Sequence, residues 1–142
     1  MASIVSNIFK KKINKEITLS AVGIMAALVK STMAALDVDV LKDETSWGNL
    51  SATYEISGTG YTARGQALAN PTYTANNTLN MAIFDADDLS WASSTLSARG
   101  VGLYLSGTND WMGFVDFGED QVSRNSSFNV TWSSTYGILT TV

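Results

Sequence analysis

The stretch RGVGLYLSGTNDWMGFVDFG, residues 99–118, alternates apolar with small or polar side chains on both sides of a turn signal. Val101, Leu103 and Leu105 share one face of its first half, and the polar residues 107–110 separate that half from residues 112–118. A period of two is typical of a half-buried strand, while Gly, Asn and Asp favour tight turns. The stretch therefore predicts a β-hairpin with one face in a hydrophobic core.

Similar alternation predicts further strands at residues 52–56, 72–85, 127–132 and 138–142, with another turn at 118–120. Turn signals recur at roughly 8–12-residue spacing, which is typical of all-β domains. We therefore predict a mostly β fold, an antiparallel β-sandwich or barrel-like domain of about 7–9 short strands with a short N-terminal helix or arm.

The N-terminal segment carries apolar residues at helical spacing, which predicts a short helix over about residues 3–13 with Ser3 as its N-cap. For residues 20–36 propensity favours a helix, although parts of this segment also suit two adjacent strands. We accordingly divide the chain into an arm or helix at residues 1–14 and a single β domain at residues 15–142.

The charge of the chain is unevenly distributed along its 142 residues. Residues 1–30 contain five lysines and one glutamate, a net charge of +4, whereas the remainder contains four basic and twelve acidic residues, a net charge of −8. An acidic body with a basic N-terminal segment suits attachment to an acidic protein surface. Three consecutive lysines are too few to track a phosphate backbone, so no nucleic-acid partner is predicted.

The composition excludes several kinds of catalytic and metal site within this chain. There is no His and no Cys, which rules out Ser-His-Asp and Cys-His catalysis and zinc sites built from these residues. The acidic clusters at residues 85–88 and 116–120 fit turn chemistry better than a calcium loop. An apolar run of 11 residues, 19–29, is shorter than the roughly 20 residues that span a bilayer. We expect no enzymatic activity, no metal, no cofactor and no membrane partner.

Two groups of residues are candidates for contact with a protein partner. The first is the N-terminal segment. The second is Trp111 at the tip of the predicted hairpin. If its ring is exposed, it contacts a partner subunit or glycan, and if it folds back, it caps the sheet. The candidates are Ile4, Val5, Ile8, Phe9, Lys10, Lys11, Lys12 and Trp111.

Three longer runs together resemble a family of small virion structural proteins of tailed bacteriophages. They are AIFDADDLSWASSTLSARGVGLYLSGT, MGFVDFGED and FNVTWSSTYGIL, and the shared pattern is FDADD-x-x-W, then DFG, then W-x-x-x-x-GIL. The resemblance extends over nearly the whole chain. It favours strands in residues 19–36, and it implies a component of the virion, assembled in the host cytoplasm, and no enzyme.

Virion proteins of this kind occur at different positions in the particle. We expect a capsid decoration, or cement, protein that binds the outer surface of the major capsid protein as a homo-oligomer, with a trimer favoured. The alternatives are a tail, collar or fibre-base component and, in a different class, a glycan-binding surface module that uses Trp111.

Overall fold

The computed structural model describes residues 2–10 and 23–141. Three short helices follow one another in the first half of the chain, and residues 7–10 are also helical. The strands are β1 (Ala2–Val5), β2 (Ile24–Val29), β3 (Gln66–Ala67), β4 (Thr72–Asn76), β5 (Met81–Asp85), β6 (Leu89–Leu105), β7 (Trp111–Val130) and β8 (Leu139–Thr141). The three helices are α1 (Ser31–Ala34), α2 (Val38–Asp43) and α3 (Gly48–Tyr54).

The strands form two antiparallel sheets. The five-stranded sheet has the order β1-β7-β6-β2-β3, and the three-stranded sheet has the order β4-β5-β8. Within the described residues neither sheet closes into a barrel, and the architecture is that of a β-sandwich-like domain. The predicted mostly β antiparallel class and the predicted number of strands are therefore confirmed.

The long hairpin of β6 and β7 dominates the larger sheet. Its turn lies at residues 106–110, as the sequence predicts. The predicted turn at residues 118–120 is wrong, because β7 continues through this region as a bulge. Ala98 pairs with Gln121 and Gly100 pairs with Asp116, so two steps along β6 face five steps along β7. The extra residues bend the hairpin into a half near the tip and a far half.

The predicted strand at residues 52–56 is also wrong, because most of this stretch belongs to helix α3. Leu50 and Tyr54 lie four residues apart on one side of α3 and both pack into the core. The apolar residues here therefore fit two patterns. Residues 52–56 alternate as in a strand, and Leu50 and Tyr54, starting two residues earlier, have the spacing of a helix. In the described part of the next segment, residues 23–36, both alternatives occur, since strand β2 is followed after Lys30 by helix α1, while residues 20–22 lie outside the described residues.

The N-terminal segment is part of the domain over the residues that the structure describes. Ala2–Val5 forms strand β1, which pairs with β7, and only residues 7–10 are helical. The predicted helix over residues 3–13 is therefore wrong for residues 3–5, while residues 7–10 are helical and residues 11–13 lie outside the described residues. The boundary drawn at residue 14 also lies outside the described residues and stays a prediction. Backbone hydrogen bonds to β7 outweigh the helical spacing of the apolar residues here, because β7 offers an edge that β1 satisfies.

The larger sheet is buried on both faces near the hairpin tip. One face packs against the three-stranded sheet and the loop around residues 56–68, and the other packs against the three helices. The residues of the helical face are Ala27, Val29, Met33, Leu41, Trp47, Leu50, Tyr104, Trp111 and Phe114. Helices therefore cover only the tip half of the β6–β7 hairpin, while the far half has one face exposed.

Candidate interaction surface

Trp111 lies at the base of the hairpin turn, and its side chain is fully buried. Its indole Nε1–H donates to the carbonyl oxygen of Leu41 at 3.0 Å, and its ring stacks on Trp47 with 6.0 Å between the ring centroids. Trp47 in turn stacks on Tyr104 at 5.1 Å. Trp111 is therefore not available to a glycan or a partner, because α2 and α3 cover the side of the hairpin on which it lies.

The apolar residues of the N-terminal segment are also used within the fold. Val5 and Phe9 are 8% and 3% exposed, while Ile4 and Ile8 are half-buried. The buried Ser6 hydroxyl fixes this segment, since it donates to the carbonyl of Trp111 at 2.6 Å and accepts from Phe9 N–H at 3.2 Å. The expected apolar anchor is therefore wrong for the buried pair Val5 and Phe9.

Of the three consecutive lysines in this segment, the structure describes only Lys10. Lys10 is exposed, and Lys11 and Lys12 lie outside the described residues. That the lysines of this segment contact a protein partner therefore stays a prediction.

The far half of the β6–β7 hairpin has one exposed face, which we call the open ribbon face. It is defined by Ser90, Ser97, Val122 and Asn129, all exposed, with Ser90 opposite Asn129 and Ser97 opposite Val122. Ser90 Oγ donates to Asn129 Oδ1 at 2.7 Å. Val122 is 55% exposed, the highest value among the large exposed hydrophobic side chains of the described residues. This face is polar at Ser90, Ser97 and Asn129 and apolar at Val122.

A buried pair of serines holds the far half of the ribbon in shape beneath that face. Ser94 Oγ donates to the carbonyl of Ser126 at 2.9 Å, and it lies 2.8 Å from Ser123 Oγ. Since the Ser94 proton is used, Ser123 is the donor of the second bond, and Ser123 also accepts from Leu96 N–H at 3.1 Å. The two hydroxyls therefore satisfy backbone groups at the register shifts of the ribbon.

An ion pair lies where the ribbon bends. Arg99 Nε is 2.6 Å from Asp116 Oδ1, and Gly118 N–H donates to the same oxygen at 2.8 Å. Burial acts to raise the pKa of Asp116, but the hydrogen bonds from Arg99 and Gly118 and the charge of Arg99 outweigh it, so the pKa is lowered. The bulge in β7 brings Asp116 beside Arg99 of β6.

The loop before β3 contains a polar cluster that no sequence pattern indicates. Glu55 Oε1 accepts from Tyr61 Oη–H at 2.7 Å and from Arg64 N–H at 2.6 Å, while Leu28 N–H donates to Tyr61 Oη at 3.0 Å. Burial, with the hydrogen bond to Glu55 and its charge, raises the pKa of Tyr61. Residues 33 positions apart in sequence meet here, and the cluster fixes the loop to β2.

The acidic turn at residues 85–88 serves the backbone. Asp88 Oδ1 accepts from Trp132 N–H at 2.9 Å, Asp87 Oδ2 accepts from Asn70 Nδ2 at 2.7 Å, and Asp85 Oδ1 accepts from Ala86 N–H at 2.9 Å. Within residues 2–10 and 23–141, no three acidic side chains come together as a metal-ion cluster. These contacts agree with the interpretation of the turn as loop chemistry.

The cavities among the described residues include two small ones. A cavity of about 210 Å³ lies between β1 and the C-terminal segment, with Ser3 and Tyr136 in its lining. A second, of about 240 Å³, lies beside the bulge between Phe117 and Asn129. Pockets for small organic ligands usually measure about 300–1,000 Å³. The open ribbon face, rather than either cavity, is therefore the stronger candidate site.

Comparisons of the chain with protein-family models, with curated proteins and with solved structures found no match. The resemblance to phage virion proteins therefore stays a prediction from the sequence. Over the described part of the chain, no helix is long and apolar enough to cross a membrane.

Proposed function

We propose that this protein is a structural component of a tailed-bacteriophage virion, and specifically a capsid decoration protein that attaches to the outside of the shell. The phage assignment rests on the sequence resemblance. The observation that supports a structural role is the open ribbon face. It is an exposed sheet surface that the helices leave uncovered, whereas the same sheet is buried on both faces near the hairpin tip.

The site of attachment in this proposal differs from the one that the sequence suggests. Val5, Phe9 and Trp111 are committed to the core, so they support the domain without touching the shell. The open ribbon face takes their place, with Val122 as its apolar residue, Ser97 directly opposite it and Asn129 farther along β7. Stable attachment needs roughly 800 Å² per partner, with an apolar centre and a polar rim.

A pair of matched substitutions tests this surface. Val122→Asp places a carboxylate at the centre of the proposed interface, and Val40→Asp makes the same change on α2, where the side chain is similarly exposed at 52%. Each purified variant is mixed with phage shells that lack the protein, and the bound fraction is measured by co-sedimentation. We expect Val122→Asp to weaken binding by about tenfold or more, because burying an unpaired carboxylate is costly, and Val40→Asp to bind as the parent does.

The two variants also separate the outcomes. Equal binding by all three proteins would reject the open ribbon face, and a loss confined to Val40→Asp would move the site to the helical layer. Failure of the parent protein to bind shells at any concentration would reject the decoration role itself.

The number of copies per virion distinguishes the shell from the tail. A decoration protein follows the number of capsid subunits, whereas a collar or tail component follows the symmetry of the tail and is present in far fewer copies. Quantitative gel densitometry against the major capsid protein measures this ratio. A ratio near that of the tail proteins would replace the capsid assignment with the tail alternative.

A further inference from the structure

The far half of the β6–β7 hairpin is nearly free of charge in an otherwise acidic protein. Residues 89–98 of β6 and 121–130 of β7 contain one charged side chain, that of Arg124. From residue 31 onward the chain has twelve acidic residues and, besides Arg124, three basic ones, a net charge of −9. An acidic group of a partner is therefore repelled by most of this protein and attracted at Arg124.

Arg124 lies on the same side of β7 as Val122. Both side chains are exposed, whereas Ser123 between them is buried. Side chains two residues apart in a strand project from one face and are separated by roughly 7 Å along it. The cation is therefore next to the apolar residue of the open ribbon face.

Both neighbours of Arg124 in the chain are hydrogen-bonded to β6. Ser123 Oγ accepts from Leu96 N–H at 3.1 Å, and Asn125 N–H donates to Thr95 Oγ1 at 3.1 Å. These bonds fix the backbone on either side of Arg124 at a register shift of the ribbon. A partner that binds the side chain therefore has little backbone left to order, which lowers the entropic cost of binding.

The guanidinium of Arg124 has no hydrogen-bond or ion-pair partner within the described residues. The other two arginines of the chain are used by the fold, since Arg99 pairs with Asp116 and Arg64 Nη2 donates to Asn109 Oδ1 at 2.9 Å. A guanidinium offers a planar set of N–H donors that matches a carboxylate, and arginine is enriched at protein interfaces. Arg124 is therefore free to pair with a carboxylate from another molecule.

We propose that the surface bound by the open ribbon face presents an Asp or Glu carboxylate to Arg124. The rest of that surface is uncharged and bonds the hydroxyl and amide groups of Ser97 and Asn129. The same carboxylate is repelled elsewhere on this acidic chain, so the pair selects the bound face and adds affinity. This inference rests on the proposed function, since it names the chemistry of the shell surface that the same face contacts.

Two charge reversals test the pair. Arg124→Glu reverses the cation on the open ribbon face, and Lys42→Glu makes the same change of net charge on helix α2. Each purified variant is mixed with phage shells that lack the protein, and the bound fraction is measured by co-sedimentation. We expect Arg124→Glu to weaken binding by about tenfold or more, because it brings like charges together, and Lys42→Glu to bind as the parent does. Thermal unfolding of Arg124→Glu should stay close to that of the parent.

Chemical neutralisation of the shell tests the other side of the pair. Shells treated with a carbodiimide and glycinamide carry neutral amides in place of accessible carboxylates. The parent should bind treated shells about tenfold more weakly than untreated ones, whereas Arg124→Gln should bind both equally and at the weaker level. An equal loss for the two proteins would overturn the inference, because the neutralised carboxylates would then act at another residue.

The outcomes separate this inference from the proposed function. If the parent binds shells and Val122→Asp weakens that binding, equal binding by Arg124→Glu and Lys42→Glu rejects the carboxylate alone. If the parent does not bind shells, both proposals are rejected. A dimer of the 15.2 kDa parent chain in sedimentation equilibrium that Arg124→Glu abolishes would place the carboxylate on a second copy, and it would also overturn the inference.

Discussion

Polar side chains with one or two well-placed hydrogen bonds fix the loops of this protein to its sheets. The indole N–H of Trp111 bonds the carbonyl of Leu41, and that of Trp132 bonds the carbonyl of Asp87 at 3.0 Å. Each of these large aromatic rings fills the core and at the same time satisfies a backbone carbonyl that is distant in sequence, one in helix α2 and one in the turn after β5. The burial and the hydrogen bonds of these two tryptophans are therefore explained by the fold, without a ligand.

The ion pair at the bend of the ribbon makes stability depend on pH. Because the pKa of Asp116 is lowered in the folded state, its stabilising effect is complete above the unfolded pKa of about 3.9 and is lost as the pH falls through the lower folded value. Urea unfolding across an acidic pH series should show the parent more stable than Asp116→Asn near neutral pH. The difference should shrink as the pH falls below about 4.

Arg99→Gln provides the control for this effect. The double variant with Asp116→Asn should lose less stability than the two single changes combined, because both remove the same contact. A difference between the parent and Asp116→Asn that stays constant with pH would contradict the assignment.

At the scale of elements, the β6–β7 hairpin organises the fold. Its tip half lies in the five-stranded sheet between two cores, and its far half extends beyond the helices. The bulge between these halves depends on Gly118, which has a φ of +91°. Only glycine adopts that conformation without steric cost, so one residue type permits the change of direction.

A pair of glycine substitutions isolates this conformational effect. A Cβ at Gly118 meets no atom within 4 Å, and the same is true at Gly107, but only Gly118 has a positive φ. We expect Gly118→Ala to lower the free energy of unfolding by about 1–2 kcal/mol and Gly107→Ala to change it little. Chemical denaturation of both variants measures the difference, and equal effects would show that the bulge does not depend on glycine.

At the scale of the whole molecule, one sheet is shared by two hydrophobic cores. Trp47 and Trp111 lie in the core under the helices, and Trp91 and Trp132 lie in the core between the sheets. Strands β6 and β7 contribute to both cores, so neither core remains intact when these strands separate. The molecule should therefore unfold in a single cooperative step.

Two double variants test this coupling through tryptophan fluorescence. Trp91→Phe with Trp132→Phe leaves reporters under the helices, and Trp47→Phe with Trp111→Phe leaves them between the sheets. In each variant the fluorescence midpoint should coincide with the midpoint measured by far-ultraviolet circular dichroism. An earlier fluorescence transition under the helices would show that the helical layer melts independently.

The fold class follows from local pattern, whereas several elements do not. The hairpin at residues 99–118 and its turn are predicted by period-two alternation, which continues over enough residues to be decisive. The segment of residues 48–56 is short, and its apolar residues fit both the period of a strand and that of a helix. Packing of Leu50 under the sheet therefore selects the helix. The edge of β7 decides β1 in the same way, because pairing with a distant strand is invisible to local spacing.

The candidate surface needed the tertiary structure throughout. Trp111 looks exposed in sequence because it follows a hairpin turn, but helices from 70 residues earlier in the chain cover it. Val122 is the opposite case, since it is exposed. Its alternation with Ser123 indicates that the two side chains face opposite sides of the strand, but it does not indicate which side is covered.

The sequence by itself determined the strand-rich character of this protein, its dominant hairpin, its exclusion of His- and Cys-based chemistry and its uneven charge. These properties depend on composition and on side chains within a few residues of one another. Only the tertiary structure decided which face of each strand is covered and which aromatic rings are buried. Those outcomes depend on elements distant in the chain, whose packing no local period records.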